Sequence, residues 1–213
     1  LGINILIIPV YLTYINIEEY GLWLLLFSIV STMFILDNGT DQYIEVTVAN
    51  DKIFRSKKLL NHIITALLYK LKVILVIFII GFTSYFIIFK KNYFDLKFNG
   101  LESTFIILFL SLTITYVGST ISSILHGRNK IVFLSIATSF YSILSALINL
   151  LFLYLQFSIL SFALSSLIIS LTIFLHYAFI LKKTLPKNIF NVSKIELIEK
   201  ENISKFSFSF FIL

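Results

Sequence analysis

Residues 131–181 read IVFLSIATSFYSILSALINLLFLYLQFSILSFALSSLIISLTIFLHYAFIL and contain no Asp, Glu, Lys or Arg and no Gly or Pro. As a single helix they would be about 77 Å long at 1.5 Å per residue, whereas the hydrocarbon core of a bilayer is about 30 Å thick. We therefore predict two membrane-spanning helices that fold back at the polar interruption Gln156-Phe157-Ser158. Lys130 and Lys182 close the two open ends of this hairpin, which places both ends on the same side of the membrane.

The composition of the whole chain agrees with a membrane protein. Hydrophobic residues make up 58% of the chain and charged residues 13%, with a mean hydropathy of +0.97, whereas soluble domains are about 45–50% apolar and about 25% charged. The absence of cysteine excludes disulfides, thiolate metal sites and cysteine nucleophiles. The net charge of +6 does not indicate a nucleic-acid partner, because the basic residues lie between apolar segments without an interleaved aromatic face for bases.

The apolar segments predict an all-α, polytopic membrane bundle of six transmembrane helices and the start of a seventh. The predicted spans are a truncated span 1 ending near Ile15, span 2 from Tyr20 to Glu45, span 3 from Val73 to Phe89, span 4 from Ser103 to Leu125, the hairpin spans 5 and 6, and a truncated span 7 from Phe206. The expected organisation is a six-helix lobe over residues 1–182, a cytoplasmic linker over 183–204 and the start of a second lobe over 205–213. We expect a fragment that is cut inside a span at both ends, without a signal peptide.

The distribution of Lys and Arg predicts the orientation of the bundle. Fourteen of the 17 lie in the segments 50–72, 126–130 and 182–205, whereas Lys90, Lys91 and Lys97 lie on the other side. The positive-inside rule makes the first three segments cytoplasmic. Within the first of them, apolar residues between Ile53 and Leu67 recur near helical spacing, which predicts an amphipathic helix lying on the membrane surface.

Span 2 carries the acidic residues that need explanation, because an ionisable group in hydrocarbon costs about 2.5–3.5 kcal/mol on insertion scales. Asp37, Asp41 and Glu45 are spaced to share one helix face, which Asn38 widens. Asp37 is the deepest, about 21 Å along the helix from the interfacial Trp23. One interpretation makes Asp37, with Asp41 as helper, a site for a coupling H⁺ or Na⁺ in a cavity between helices. The other interpretation is that the carboxylate is solvated at the helix end, or is paired with Lys70 or Lys72.

The remaining candidate residues indicate mobility and packing rather than catalysis. Gly39 could let span 2 bend beside the acids, and Pro9 could kink span 1. Ser and Thr are frequent in spans 4 to 6, which suits close helix packing or a polar conduit for sugar hydroxyls. The three histidines are scattered, which predicts no metal site. We find no phosphate loop, nucleophile elbow or acid–base pair, so the sequence argues for a protein that is not an enzyme and has no cofactor.

A family resemblance rests on residues 8–50. Pro9, the loop Tyr14-Ile15-Asn16-Ile17-Glu18-Glu19-Tyr20-Gly21-Leu22-Trp23 and the element Leu36-Asp37-Asn38-Gly39 together resemble the O-antigen and polysaccharide flippases of the multidrug/oligosaccharidyl-lipid/polysaccharide exporter superfamily. The pair Gly127-Arg128 after span 4 is also similar to that family. Asp41 and Gln42 depart from the small or apolar residues that the family pattern has after the glycine.

The resemblance implies the first half of a transporter of twelve to fourteen helices in a bacterial inner membrane. Such proteins carry undecaprenyl-pyrophosphate-linked oligosaccharide to the outer leaflet by alternating access, coupled to an ion gradient, for O-antigen and lipopolysaccharide biosynthesis. Arg128 and Lys130 would then lie where the anionic headgroup enters. The implied partners are the lipid-linked oligosaccharide, membrane lipids, a polysaccharide polymerase and glycosyltransferases. The alternatives are a drug/cation antiporter of the same superfamily, a membrane-embedded glycan polymerase or ligase, and a non-transporting anchor.

Overall fold

The computed structural model describes residues 2–33, 39–50, 57–86 and 100–184. These residues form seven α-helices and no β-strand. The helices are α1 (Gly2–Tyr11), α2 (Ile17–Met33), α3 (Thr40–Asn50), α4 (Lys57–Tyr85), α5 (Leu101–Gly127), α6 (Ile131–Tyr154) and α7 (Leu160–Thr184). The all-α class is thereby confirmed.

Four of these helices are long and apolar enough to cross a membrane. They comprise residues Ile63–Thr83 of α4, the whole of α5 and of α6, and Leu160–Lys183 of α7. This is what a multi-pass membrane protein requires. The fuller count of six spans and a partial seventh stays a prediction, since residues 185–213 lie outside the described part of the chain.

The predicted hairpin is confirmed as α6 and α7. Gln156 and Ser158 in the connection both have left-handed backbone conformations, with φ of 65° and 50°. The Phe157 amide donates to the Phe152 carbonyl at 3.1 Å, which closes the end of α6. The chain therefore reverses at the polar interruption in an otherwise apolar segment, where backbone groups outside a helix can reach water.

The α5 helix is the centre of the bundle and packs most extensively against α7 and α3. One apolar cluster joins Leu26 of α2 to Phe105 of α5 and Ala163 of α7. A second cluster joins Leu125 of α5 to α6 and to α7 near its end. Because α5 is surrounded on several sides, polar residues along it are placed in the interior of the protein.

The two ends of the bundle differ in charge. Glu18, Glu19 and Glu102 lie at the end where α2 and α5 begin. Arg128, Lys130, Lys182 and Lys183 lie at the opposite end, where α5 finishes, α6 begins and α7 finishes. We call these the acidic end and the basic end. From this distribution the positive-inside rule predicts a cytoplasmic location for the basic end.

Span 2 differs from its prediction as one continuous helix. The structure has two helices, α2 ending at Met33 and α3 beginning at Thr40, with residues 34–38 outside the described part of the chain. Gly39 has φ of 78°, a left-handed conformation that residues with a side chain adopt at a cost and that interrupts an α-helix. Of the three acids expected to share a helix face, Asp41 and Glu45 lie in α3, and Asp37 lies outside the described residues.

The prediction of a cytoplasmic loop over 50–72 is wrong from residue 63 onward, where the candidate membrane span of α4 begins, and the predicted surface helix is not a separate element. A single helix, α4, runs from Lys57 to Tyr85, so the amphipathic segment and span 3 are one element. No Gly or Pro interrupts this segment before Gly81, and the charge of Lys70 that suggested a loop is accommodated inside the bundle. Residues 51–56 lie outside the described residues.

Candidate functional site

Lys70 is the most unusual residue in the structure, because its side chain is only 2% exposed. It lies on the inward face of α4 with Ala66 and Ile77, both buried, at helical spacings of four and seven residues. Lysine is almost never fully buried without a partner, because removing an ammonium from water costs several kcal/mol. The contacts of this ammonium therefore define a candidate site.

Within the described part of the chain, the Lys70 ammonium contacts oxygen atoms of α3 and α5. Its Nζ donates to Oδ1 of Asp41 at 2.6 Å and to Oγ of Ser119 at 2.8 Å. It also donates to the backbone carbonyl of Tyr116 at 3.3 Å and lies 4.6 Å from the centre of the Tyr116 ring. The favourable charge, hydrogen-bond and cation–π terms offset the desolvation of the lysine. We call Asp41, Lys70, Tyr116 and Ser119 the ion-pair junction.

Asp41 is held in place by the beginning of α3. It lies in the first turn of that helix, two residues after the left-handed Gly39, whose carbonyl accepts the Tyr43 amide at 3.0 Å. The partial positive charge at a helix N-terminus favours a carboxylate there. The Asp41 side chain is 24% exposed, whereas Lys70 is enclosed. The junction is thus open on the carboxylate side.

The α3 helix is fastened to α5 by a close backbone approach at Gly127. A Cβ atom added at Gly127 would lie 2.6 Å from the Glu45 carbonyl oxygen and 2.8 Å from Cβ of Val48. Only a residue without a side chain permits this separation. Tyr43, Ile44 and Val48 of α3 also pack in a buried cluster with Ile124 of α5. The orientation of Asp41 toward α4 and α5 depends on this contact.

The ion-pair junction lies within the apolar part of the bundle. Lys70 is seven residues from the start of the membrane-spanning part of α4, which is about 10 Å. Ser119 is eight residues from the end of α5 at the basic end, which is about 12 Å. These depths place the charged groups below the headgroups of a bilayer whose hydrocarbon core is about 30 Å thick.

A second polar cluster, which is uncharged, lies between α5, α6 and α7. Ser165 donates to Oδ1 of Asn149 at 2.7 Å, and Ser166 donates to Oγ of Ser111 at 3.0 Å. We call these four residues the serine seam. Each of its three hydroxyls also lies within hydrogen-bonding distance of a carbonyl of its own helix, three residues earlier, and in Ser165 and Ser166 the two acceptors share the single hydroxyl proton. This agrees with the packing interpretation of the abundant Ser and Thr.

His176 lies in α7 and contacts α6, the other helix of the hairpin. Its Nδ1 lies 2.6 Å from the hydroxyl of Tyr141, and Phe133 packs edge-on against the imidazole. This contact joins α6 to α7 near the basic end. It is a helix–helix contact and does not form part of the ion-pair junction.

The structure places the predicted site residues in different parts of the molecule. Asp37 and Asn38 lie outside the described residues. Asp41 pairs with Lys70, which is the second of the two interpretations of the acids in span 2. Gly39 lies where the chain enters α3. The other three candidates are Pro9, which lies inside α1, and Arg128 and Lys130, which lie in the turn between α5 and α6.

Sequence reasoning did not single out Ser119 or Tyr116, and it assigned Lys70 to a loop. The available signal was the spacing of Ala66, Lys70 and Ile77, which puts a lysine on the apolar face of a helical segment. For Ser119 no such signal exists among the many hydroxyls of α5. Comparison of this chain with protein-family models, curated proteins and solved structures finds no match.

Proposed function

We propose that this chain is the N-terminal six-helix lobe of an ion-coupled transporter in a bacterial inner membrane. Its proposed cargo is undecaprenyl-pyrophosphate-linked oligosaccharide, carried from the cytoplasmic to the outer leaflet for O-antigen or another surface polysaccharide. The transport class is supported by the ion-pair junction. The cargo is supported by the resemblance of residues 8–50 and of Gly127-Arg128 to polysaccharide flippases.

The observation that carries the proposal is a buried ion pair at the start of α3, next to the left-handed Gly39. Two charges in a low-dielectric interior cost more in desolvation than well-packed apolar residues of the same size, so a scaffold has no need of them. Transporters place such groups where a spanning helix is discontinuous, because the freed half-helix can move and its N-terminus can stabilise a negative charge. Asp41 lies in the first turn of α3, two residues after Gly39, which suits this arrangement.

The basic end supports an anionic cargo that enters from the cytoplasm. Lys130, Lys182 and Lys183 are exposed there, and Arg128 lies beside them at the end of α5. Basic groups at this level attract phosphate-bearing headgroups. In the proposed mechanism the pyrophosphate first meets this end, and a rearrangement of α3 relative to α5 then alters access to the interior of the lobe.

Reconstitution of the whole transporter tests the proposal. Proteoliposomes would carry a fluorescent undecaprenyl-pyrophosphate-linked oligosaccharide, and a membrane-impermeant quencher would report the fraction in the outer leaflet. We expect Asp41→Asn and Lys70→Met each to slow translocation at least 10-fold, and the same is expected of Asp37→Asn. Lys72→Met, an exposed lysine on the same helix, is the matched control and should translocate normally. Normal translocation by well-folded Asp41→Asn and Lys70→Met would overturn the proposal.

The same vesicles separate the proposed cargo from the antiporter alternative. A drug/cation antiporter would move a fluorescent organic cation against an imposed Na⁺ or H⁺ gradient without translocating the lipid-linked oligosaccharide. Retention of the cation activity alone would assign the ion-pair junction to antiport.

The orientation is tested with single cysteines, since residues 1–213 contain none. Glu102→Cys should react with an impermeant maleimide in intact cells, and Lys130→Cys only after permeabilisation. The reverse pattern would invert the assignment of the basic end to the cytoplasm.

A further inference from the structure

The environment of the Lys70 ammonium has the chemistry of a cation site. The oxygens that the described residues place around Nζ include a carboxylate of Asp41, a hydroxyl of Ser119 and a backbone carbonyl of Tyr116, at 2.6, 2.8 and 3.3 Å. Carboxylate, hydroxyl and carbonyl oxygens are the ligands that hard metal cations take from proteins. The Tyr116 ring adds an aromatic face at 4.6 Å, which attracts any monovalent cation.

We propose that these oxygens form a site for a monovalent alkali cation, which the tethered ammonium of Lys70 fills in the present conformation. A free Na⁺ or K⁺ and the Lys70 ammonium would then occupy the site in turn. A monovalent ion preserves the charge balance when it replaces one ammonium, whereas a divalent ion would leave an excess positive charge in the apolar part of the bundle.

The geometry provides a way for the exchange to occur. The four-carbon stem of lysine is flexible, so its charged end can move away without displacement of α4. The Asp41 side chain is 24% exposed, and in this proposal its exposed carboxylate is the group that the free ion meets first. Asp41 belongs to α3, which is a separate helix from α2 and contacts α5. Exchange of the tethered ammonium for a free ion therefore changes the contact between α4 and α3.

As a statement about transport, this inference rests on the proposed function, because it makes the Lys70 ammonium the competitor of the coupling ion. The binding of the ion itself does not depend on the cargo. A test that measures ion binding without transport therefore separates the two. Failure of translocation with intact cation binding would remove the flippase proposal alone.

The test creates an unfilled site by removing the ammonium. Lys70→Ala is purified alongside the wild type, Lys72→Ala and the double variant Asp41→Asn/Lys70→Ala. Thermal unfolding of each is measured in NaCl, KCl or choline chloride at constant total salt, with the alkali ion varied from about 1 to about 300 mM. Trp23, the single tryptophan, reports unfolding because its ring stacks on Phe162 of α7 at 5.3 Å. Choline is the control cation, since it is too large to enter the space left by an ammonium.

We expect Na⁺ or K⁺ to raise the melting temperature of Lys70→Ala by about 5 °C or more at saturation, relative to choline. The wild type and Lys72→Ala should show no difference between alkali ions and choline, because the ammonium already fills the site. The double variant should also show none, because the carboxylate is gone. An equal response of Lys70→Ala in alkali and choline salts, or a response that persists in the double variant, would overturn the proposal.

A second variant keeps the test decisive if Lys70→Ala does not fold in choline. Recovery of folded Lys70→Ala in NaCl or KCl but not in choline chloride would itself support the site. If it is recovered in none of them, Lys70→Met, which keeps the length of the side chain, is measured by the same criterion. A Lys70→Met protein that folds equally well in all three salts, or in none, would show that no free cation replaces the ammonium.

Discussion

The ion-pair junction and the serine seam are both polar and both buried, yet they are built in opposite ways. In the serine seam each serine hydroxyl has a hydrogen-bond acceptor in its own helix, the carbonyl three residues earlier. Each hydroxyl therefore has a partner even in an isolated helix. In the junction Lys70 and Asp41 are 29 residues apart, and Lys70 and Ser119 are 49 apart. The charges are compensated only when α3, α4 and α5 are assembled.

This difference has an energetic consequence. A neutral interhelical hydrogen bond in a membrane contributes about 0.6 kcal/mol on average, because each group also finds other partners. Removal of one member of a buried ion pair costs about 3–5 kcal/mol, because an uncompensated charge remains. The seam is therefore tolerant of substitution, whereas the junction links the positions of three helices. Loss of the ion pair at the junction therefore changes the packing of α3, α4 and α5.

The largest effect is expected from Asp41→Asn, which removes the carboxylate beside a lysine that is 2% exposed. The free energy of unfolding should fall by about 3–5 kcal/mol, visible as a lower melting temperature in Trp23 fluorescence. Glu45→Gln, one turn further along α3, is the control and should change little. Asp41→Asn/Lys70→Met should recover much of the loss, since both charges are then absent; a double variant as unstable as the single one would remove the ion pair as the cause.

Gly127→Ala tests the backbone contact that positions the junction. The added Cβ would lie 2.6 Å from the Glu45 carbonyl oxygen, so α3 must move away from α5, at a cost of about 1–3 kcal/mol. Gly118→Ala is a matched control on the same helix, because its Cβ would make an ordinary contact of 3.5 Å with Phe174. Both variants are compared by thermal unfolding. Equal stability of the two would mean that α3 does not depend on its close approach to α5.

Ser165→Ala probes the contact of the serine seam with Asn149. It removes the hydroxyl that donates to Oδ1 of Asn149 at 2.7 Å, and Asn149 is only 8% exposed. We expect a loss of about 1–2 kcal/mol, the cost of depriving a buried amide oxygen of a donor. Ser170→Ala, in which the lost hydroxyl donates to the Leu167 carbonyl of the same helix, should cost less. If chemical denaturation finds the two variants equal, the Asn149 contact contributes nothing.

The smallest effect is expected from Ser166→Ala. The Ser111 hydroxyl keeps its bond to the Leu108 carbonyl at 2.8 Å when Ser166 is gone. The expected loss is about 0.6 kcal/mol, at the limit of what a melting curve resolves. A loss comparable to that of Asp41→Asn would contradict the distinction between the two polar regions.

Sequence reasoning predicted those parts of the fold that depend on the hydrophobicity of a single helical segment. The hairpin of α6 and α7 follows from the length of residues 131–181 and from the polar residues at its middle. The α5 helix was predicted as Ser103 to Leu125 and extends from Leu101 to Gly127. In each case hydrophobicity over a window of membrane thickness decides the outcome.

The errors arose where charge was used as a sign of location. Lys70 and Lys72 were taken to mark a cytoplasmic loop, whereas both lie in α4. An unpaired lysine would indeed belong at the membrane surface, but Asp41 removes that requirement for Lys70. The break in span 2 has a similar origin, since Gly39 is compatible with a continuous membrane helix as well as with the left-handed conformation that it adopts.

Composition and hydrophobic periodicity alone were sufficient to establish an all-α membrane protein, its reversal at Gln156-Phe157-Ser158 and the contrast in charge between its two ends. These are properties of single segments in contact with lipid or water, and every residue contributes to them independently. Assembly of the helices was needed to bring Asp41, Lys70 and Ser119 together and to bury the ammonium among them. The reason is physical: the energy of a buried charge depends on its nearest opposite charge, and that neighbour is set by helix packing across distant parts of the chain.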